Sequence, residues 1–109
     1  MNLEEMYEES VKVWGIDPQL LKTIEETAEL QKAIARYLIK SQEDPIAKDA
    51  DSWEIGELIV DLMEEVVDVE IMIGQIKAYF AKKTIHLYAV CRDAAVENLG
   101  RLLDVEGSP

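Results

Sequence analysis

The spacing of the apolar residues constrains the fold of this chain more than any other feature of its sequence. Over residues 19–40 and again over residues 53–80, apolar side chains recur at intervals of three and four, the period of an amphipathic α-helix. The strict alternation that marks a half-buried β-strand occurs nowhere, and no internal repeat is evident. A length of 109 residues supports one domain. The sequence therefore predicts a single all-α domain over residues 1–109, built as a four-helix bundle.

Helix start and stop signals divide the chain into four predicted helices. Asp17 is suited to the N-cap of the second helix and Pro18 to its first position. The polar residues 41–51 predict a loop, and residues 82–84 predict a break between helices. The predicted helices are Leu3–Val13, Gln19–Lys40, Trp53–Phe80 and Ile85–Leu103. Residues 104–109 are expected to form a flexible tail.

The acidic balance of the chain excludes several classes of partner. Eleven lysines and arginines stand against 23 aspartates and glutamates, which gives a formal net charge of −12. Binding to a nucleic acid polymer or to an anionic membrane surface needs clustered cations, so neither is expected. No apolar run is long enough to span a membrane. A phosphorylated small molecule is compatible with this charge, provided that cations bridge it to the protein.

The scarcity of cysteine and histidine limits both the cellular compartment in which the protein is expected and the kinds of metal site it can form. Cys91 is the only cysteine, and no secretory signal is recognised at the start of the sequence, so a cytoplasmic location is expected. His86 is the only histidine, which excludes metal sites that need two or more imidazoles, such as His-rich zinc hydrolases and di-iron bundles. A metal site in this chain would use oxygen ligands.

Several carboxylates fall on helix faces that should be buried. At about 100° per residue, Glu65 lies in the middle of the apolar stripe of the third helix, and Asp68 lies at the edge of that stripe. On the second helix, Glu26 shares the angular position of Ala33, and Glu29 follows it by about one turn. Each helix thus carries a Glu-x-x-acid pair at its buried face, and the spacing of three stacks each pair on one side.

Four carboxylates between two helices require compensation. Burying an unpaired charge is costly, and two like charges about 4 Å apart repel by roughly 4 kcal/mol at an effective dielectric of 20. A divalent cation would remove this penalty, and all-oxygen ligands select a hard ion such as Mg²⁺. Two alternatives stay open, because buried salt bridges would also neutralise the acids, and an assembly would also turn this face toward water. The basic residues available for salt bridges are Lys32, Arg36, Lys77, Lys82, Lys83, Arg92 and Arg101.

The two acidic pairs and their flanks resemble a known family. Glu25-Glu26-Thr27-Ala28-Glu29, followed on the next long helix by Glu65-Val66-Val67-Asp68, resembles the signature of the MazG-like all-α nucleoside triphosphate pyrophosphohydrolases. The flanking residues also resemble small phage and bacterial members, and the likeness covers residues 10–80 or so. The resemblance implies hydrolysis of a nucleoside triphosphate, a dNTP or a non-standard NTP, to the monophosphate and pyrophosphate. It also implies Mg²⁺, for which Mn²⁺ can substitute, and a homodimer or homotetramer.

The resemblance also implies roles for individual residues. The implied metal ligands are Glu26, Glu29, Glu65 and Asp68. The implied catalytic residues are Glu25, Glu26 and Glu65, with Glu25 as an outer partner of the metal or a helper for the attacking water. The candidates for substrate binding are Trp14, Gln19, Lys32, Lys77 and Arg101. For Trp14 the alternative is packing in the core or at an interface, and for each basic residue it is an ordinary solvated charge.

Two other functions fit the same sequence. An acidic helical module that regulates or binds a partner would keep the fold without turnover. A phosphoribosyl-ATP pyrophosphatase would share the fold and differ in substrate. The presence of all four motif acids favours an enzyme, and Trp14-Gly15 favours the MazG-like branch.

Overall fold

The structure is all-α, as the apolar spacing predicts. It is a computed structural model that describes residues 1–43, 53–84 and 86–106. The four helices are α1 (Leu3–Trp14), α2 (Ile16–Glu43), α3 (Trp53–Ala81) and α4 (Leu87–Glu106). Within these ranges no residue forms a β-strand. None of the described helices is long and apolar enough to cross a membrane.

The helix boundaries differ from the predicted ones where polar residues extend a helix. α2 begins at Ile16, so Asp17 and Pro18 lie inside its first turn, where proline removes no helical hydrogen bond. The same helix runs three residues beyond Lys40 to Glu43, and α4 continues through residues 104–106, which were predicted as tail. Residues 82–84 form the predicted break. The remaining parts of the predicted loop and tail, residues 44–51 and 107–109, lie outside the described residues.

A single glycine connects α1 to α2. Gly15 has φ +86°, a backbone conformation that L-residues with a side chain rarely adopt. Its N–H donates a 2.8 Å hydrogen bond to the carbonyl oxygen of Val11, which closes the end of α1. At the other end of this helix, Oδ1 of Asn2 accepts a 2.8 Å hydrogen bond from the N–H of Glu5. Both ends of α1 are therefore capped locally.

α2 and α3 pack side by side and run antiparallel. The ammonium of Lys40 lies 2.7 Å from a carboxylate oxygen of Glu54, and carboxylate oxygens of Glu26 and Asp68 lie within 4.8 Å of each other. Lys40 follows Glu26 by fourteen residues, as Asp68 follows Glu54, and fourteen residues of helix span about 21 Å. The two helices are thus in register over at least that length.

α1 rests on α3 through an unusually close contact. The ring of Tyr7 lies against Gly74, in the space that a Cβ atom would need. Nearby, a carboxylate oxygen of Glu8 lies 3.5 Å from the ammonium of Lys82. The absence of a side chain at Gly74 is therefore what permits this close packing of α1 on α3.

Only three of the four helices pack together in the single chain. Every described side chain of α4, over residues 87–104, is exposed. The helix touches α3 marginally, with the ammonium of Lys77 4.1 Å from the centre of the Tyr88 ring. The buried apolar residues of the described chain are few: Val11, Ala33, Ile55, Val69 and Met72. The prediction of four helices is confirmed, but the bundle in one chain consists of α1, α2 and α3.

A continuous apolar stripe remains exposed on α3. Four apolar residues at intervals of three, four and four share one side of the helix, nearly opposite the face that packs on α2. This α3 stripe consists of Val60, Met63, Val67 and Ile71. Trp14 and Trp53 are also exposed, at 61% and 79%, so neither packs in the core of this chain.

Candidate metal centre

Three carboxylates converge where α2 and α3 face each other. Glu26 on α2 and Glu65 and Asp68 on α3 each offer one oxygen, and these three oxygens lie within 4.8 Å of one another. Glu65 and Asp68 are one turn apart on α3, and Glu26 reaches them because the two helices are antiparallel in register. These residues are called the three-carboxylate cluster below.

Glu65 is the most constrained member of the cluster. Its side chain is half-buried, and its Oε2 atom is fully buried with no hydrogen-bond partner among the described residues. Desolvation raises the pKa of this carboxyl above its ordinary value, and the charges of Asp68, Glu26, Glu29 and Glu64 raise it further. The apolar-stripe position predicted for Glu65 is therefore confirmed.

The donor set fits a hard divalent cation. A buried carboxylate oxygen without a partner is costly, and repulsion from two neighbouring acids adds to that cost. A cation bound to all three oxygens would offset both penalties. Two members of the cluster, Glu26 and Asp68, also line an open depression of about 150 Å³ together with Ile71 and Met72.

The salt-bridge alternative accounts for only one of the three acids. Lys22 lies 3.3 Å from a carboxylate oxygen of Glu26. In the part of the chain that the structure describes, no lysine or arginine forms an ion pair with Glu65 or Asp68. Two of the three carboxylates therefore have no cation of their own.

Glu29 and Glu25, the other acids of the first motif, lie outside the cluster. The Glu29 carboxylate is half exposed and lies 3.7 Å from the ammonium of Lys32, although its charge still acts on Glu65. The Glu25 side chain is 71% exposed and lies 3.6 Å from Lys22. The structure thus brings together three of the four implied metal ligands and leaves Glu29 at the edge.

The candidates for substrate binding do not converge in one chain. Trp14 is exposed on α1, whereas Gln19 is buried within α2. Lys32 pairs with Glu29, Lys77 lies over the Tyr88 ring, and Arg101 on α4 forms a 2.7 Å ion pair with Glu97. Lys32 and Arg101 therefore each have a carboxylate partner with which an anionic ligand would have to compete.

Lys22 is a charged neighbour of the cluster that the sequence prediction did not include. It sits one turn before Glu26, and its hydrogen bond to Glu26 and the charge of Glu25 raise the pKa of its ammonium. The signal available in the sequence was the spacing of four between Lys22 and Glu26, which places oppositely charged side chains together on a helix. Lys22 is the described cation closest in sequence to the cluster.

We expect Lys22→Met to tighten the binding of Mg²⁺. Lys22 neutralises part of the Glu26 charge and competes with a metal ion for the same carboxylate. The Lys22 side chain is about half exposed, so solvent screens the ion pair and the dissociation constant should fall only about two- to fivefold. Isothermal titration of the metal-free protein with MgCl₂ measures this change.

Lys82→Met is the matched control for that titration. Lys82 is paired with Glu8, far along the bundle from the cluster, so its loss should change the affinity less than that of Lys22. Unchanged or weaker Mg²⁺ binding by Lys22→Met would show that Lys22 does not compete for Glu26.

Comparison with known proteins does not assign a family or a function to this chain. No protein-family model, curated protein or solved structure matches this chain.

Proposed function

We propose that this chain is a Mg²⁺-dependent nucleoside triphosphate pyrophosphohydrolase, which converts a dNTP or a non-standard NTP to the monophosphate and pyrophosphate. The observation that supports it most is the three-carboxylate cluster with the unpartnered Oε2 of Glu65. The order and spacing of the two acidic motifs, which resemble those of the MazG-like family, supply the reaction type. A role in controlling nucleotide pools in the cytoplasm follows from that activity.

In this proposal the chain's own residues bind and position the substrate. Glu26, Glu65 and Asp68 would hold the metal ion, and Glu29 would join them from one turn further along α2. When bound, Mg²⁺ would neutralise phosphate oxygens and act as a Lewis acid. Water adds to the α-phosphorus, the bond from that phosphorus to the bridging oxygen breaks, and pyrophosphate leaves with the electron pair. Glu25, the residue before Glu26 on α2, would accept the proton of the water.

We also propose that two or four copies of this chain assemble into the active form. The α3 stripe and the large apolar side chains of α4 are exposed in one chain. A helix that is apolar on opposite sides is normally buried on both. An open depression of about 430 Å³ lies along the α3 stripe and reaches Asp68. A second copy bound on this surface would therefore lie next to the three-carboxylate cluster. The base and sugar of the substrate would then lie between copies.

The test is release of pyrophosphate from a panel of canonical and modified NTPs and dNTPs. We expect at least one of them to be hydrolysed with Mg²⁺, more slowly with Mn²⁺, and not in the presence of EDTA. Glu65→Ala should reduce the rate at least about 100-fold, because it removes the buried member of the metal site. Circular dichroism of the variant should keep the wild-type helical signal.

The matched control for activity is Glu70→Ala, an exposed acid on the same helix. Hydrolysis that survives both EDTA and Glu65→Ala would overturn the proposal. Metal binding without turnover of any nucleotide would instead support a non-catalytic module with the same fold.

A further inference from the structure

A second cavity lies between α1 and the C-terminal part of α3, away from the three-carboxylate cluster. Its volume is about 280 Å³, and its lining residues are Glu8, Val11, Lys12, Ala78, Tyr79, Lys82 and Lys83. Ala78 follows Asp68 by ten residues on α3, which is about 15 Å along the helix. The lysine-rimmed cavity, as it is called here, is therefore separate from the proposed metal centre.

The rim of this cavity is cationic in a strongly acidic protein. Three of the chain's eleven basic residues, Lys12, Lys82 and Lys83, line it together with one acid, Glu8. Glu8 pairs with Lys82, and the C-terminal ends of α1 and α3 each contribute about half a negative charge. The three ammonium groups outweigh these, so about one positive charge is left for a ligand.

Two of the lysines are available to an anion. The ammonium of Lys83 donates a 2.9 Å hydrogen bond to Oη of Tyr79 and lies 4.6 Å from the centre of that ring. An ammonium has three N–H donors, so this contact holds Lys83 at the rim and leaves donors for a ligand. Lys12 forms no ion pair within the described residues.

The floor of the cavity is apolar, so a ligand that fills the cavity needs an apolar group in addition to the anionic group that the lysines would bind. Val11 is almost fully buried there, and Ala78 and the ring of Tyr79 complete the surface. Inorganic phosphate would leave this floor in contact with water, and a neutral hydrocarbon would leave the lysines unused. The volume is near the lower end of the range for ligand sites, which suits one or two aromatic rings. The ring of Tyr79 also favours an aromatic ligand.

We propose that the lysine-rimmed cavity binds a small aromatic monoanion, of the class in which one carboxylate is attached to an aromatic ring system. The ring covers Val11, Ala78 and Tyr79, and the carboxylate accepts hydrogen bonds from Lys12 and Lys83. The site does not depend on the proposed hydrolysis, because none of its residues belongs to the three-carboxylate cluster.

The experiment is a titration of the full-length protein with 2-naphthoate, followed by the ¹³C-methyl signals in NMR spectra. We expect saturable shifts at Val11 and Ala78 and none at Ala33, which is buried on α2 and does not line the cavity. The neutral analogue 2-naphthalenemethanol and inorganic phosphate should each bind at least about tenfold more weakly, because each lacks one half of the interaction.

Charge-removing variants complete the test. Lys12→Met and Lys83→Met keep an apolar stem of similar length and should each weaken 2-naphthoate at least about fivefold, whereas Lys32→Met on α2 should leave it unchanged. All three lysines are exposed, and circular dichroism verifies the fold. Equal binding of the neutral analogue, equal binding by the variants, or shifts at Val60 and Val67 in place of Val11 and Ala78 would overturn the proposal.

Discussion

Glu65→Gln should make the metal-free protein more stable and at the same time abolish its stabilisation by Mg²⁺. The amide keeps the shape of the side chain and removes the charge that desolvation and the neighbouring acids oppose. We therefore expect the melting temperature in EDTA to rise by several degrees. Mg²⁺ at about a hundred times its dissociation constant should stabilise the wild-type protein by about 2.7 kcal/mol. In a domain of this size, that free energy raises the melting temperature by roughly 10 °C. The Glu65→Gln variant should not show this increase.

The destabilising charge of Glu65 should also be visible in the pH dependence of the stability of the metal-free protein. The pKa of Glu65 is raised in the folded state, so between the ordinary pKa and the raised value the folded chain binds more protons than the unfolded chain. Stability from this group therefore increases as pH falls through the folded pKa, and its destabilising effect is complete above that pKa. Thermal scans in EDTA, at pH values falling from neutral toward the ordinary glutamate pKa, should show this gain in the wild-type protein and a smaller one in Glu65→Gln.

Glu70→Gln is the control for the general effect of removing one negative charge. It lies exposed on the same helix and has no place in the cluster, so its Mg²⁺-dependent shift should equal that of the wild-type protein. A metal-free Glu65→Gln protein that melts below the wild type would mean that the carboxylate is satisfied and that the cluster has no unmet need for a cation.

If copies of the chain assemble as proposed, Val60→Asp should dissociate them into single chains. The side chain belongs to the α3 stripe, and a carboxylate placed in an apolar contact costs several kcal/mol. Since 1.4 kcal/mol is a factor of ten, we expect the association constant to fall about a thousandfold. Light scattering after size-exclusion chromatography, over a range of micromolar concentrations, should give two or four chain masses for the wild type and one for the variant.

Val13→Asp is the matched control, because this valine on α1 is about as exposed as Val60, at 62% against 56%. Its mass should be that of the wild type. A wild-type protein that is monomeric at all concentrations, or a Val60→Asp protein of unchanged mass, would show that the α3 stripe is not a contact between copies. Circular dichroism separates dissociation from unfolding.

Periodicity predicted the helices and the position of Glu65 because both depend on the residues of one helix. The 100° step of a helix fixes which side chains share a face, so the conflict between Glu65 and its apolar neighbours is visible in the sequence. The convergence with Glu26 required more, because the relative rotation of two helices is set by their packing. The order of the two motifs supplied that information through the family resemblance.

The positions of Glu29 and α4 show where such reasoning stops. Glu29 shares its motif with Glu26. It lies three residues further along α2, however, and its carboxylate pairs with Lys32 and does not join the other oxygens. The apolar residues of α4 predict that it packs, and no sequence pattern says whether the partner surface lies in the same chain. The end of α2 differs from the predicted end at Lys40 because polar residues such as Gln42 can extend a helix as readily as they begin a loop.

The register between α2 and α3 determines which changes in chain length this site can tolerate. One residue inserted into α3 between Ile55 and Glu65 would turn all later residues by about 100° and shift them by about 1.5 Å. Glu65 and Asp68 would then leave Glu26, although every motif residue would still be present. A change in the number of residues between Glu43 and Trp53 alters neither helix face. Insertions within α3 between Ile55 and Glu65 are therefore expected to disturb the site more than insertions between Glu43 and Trp53.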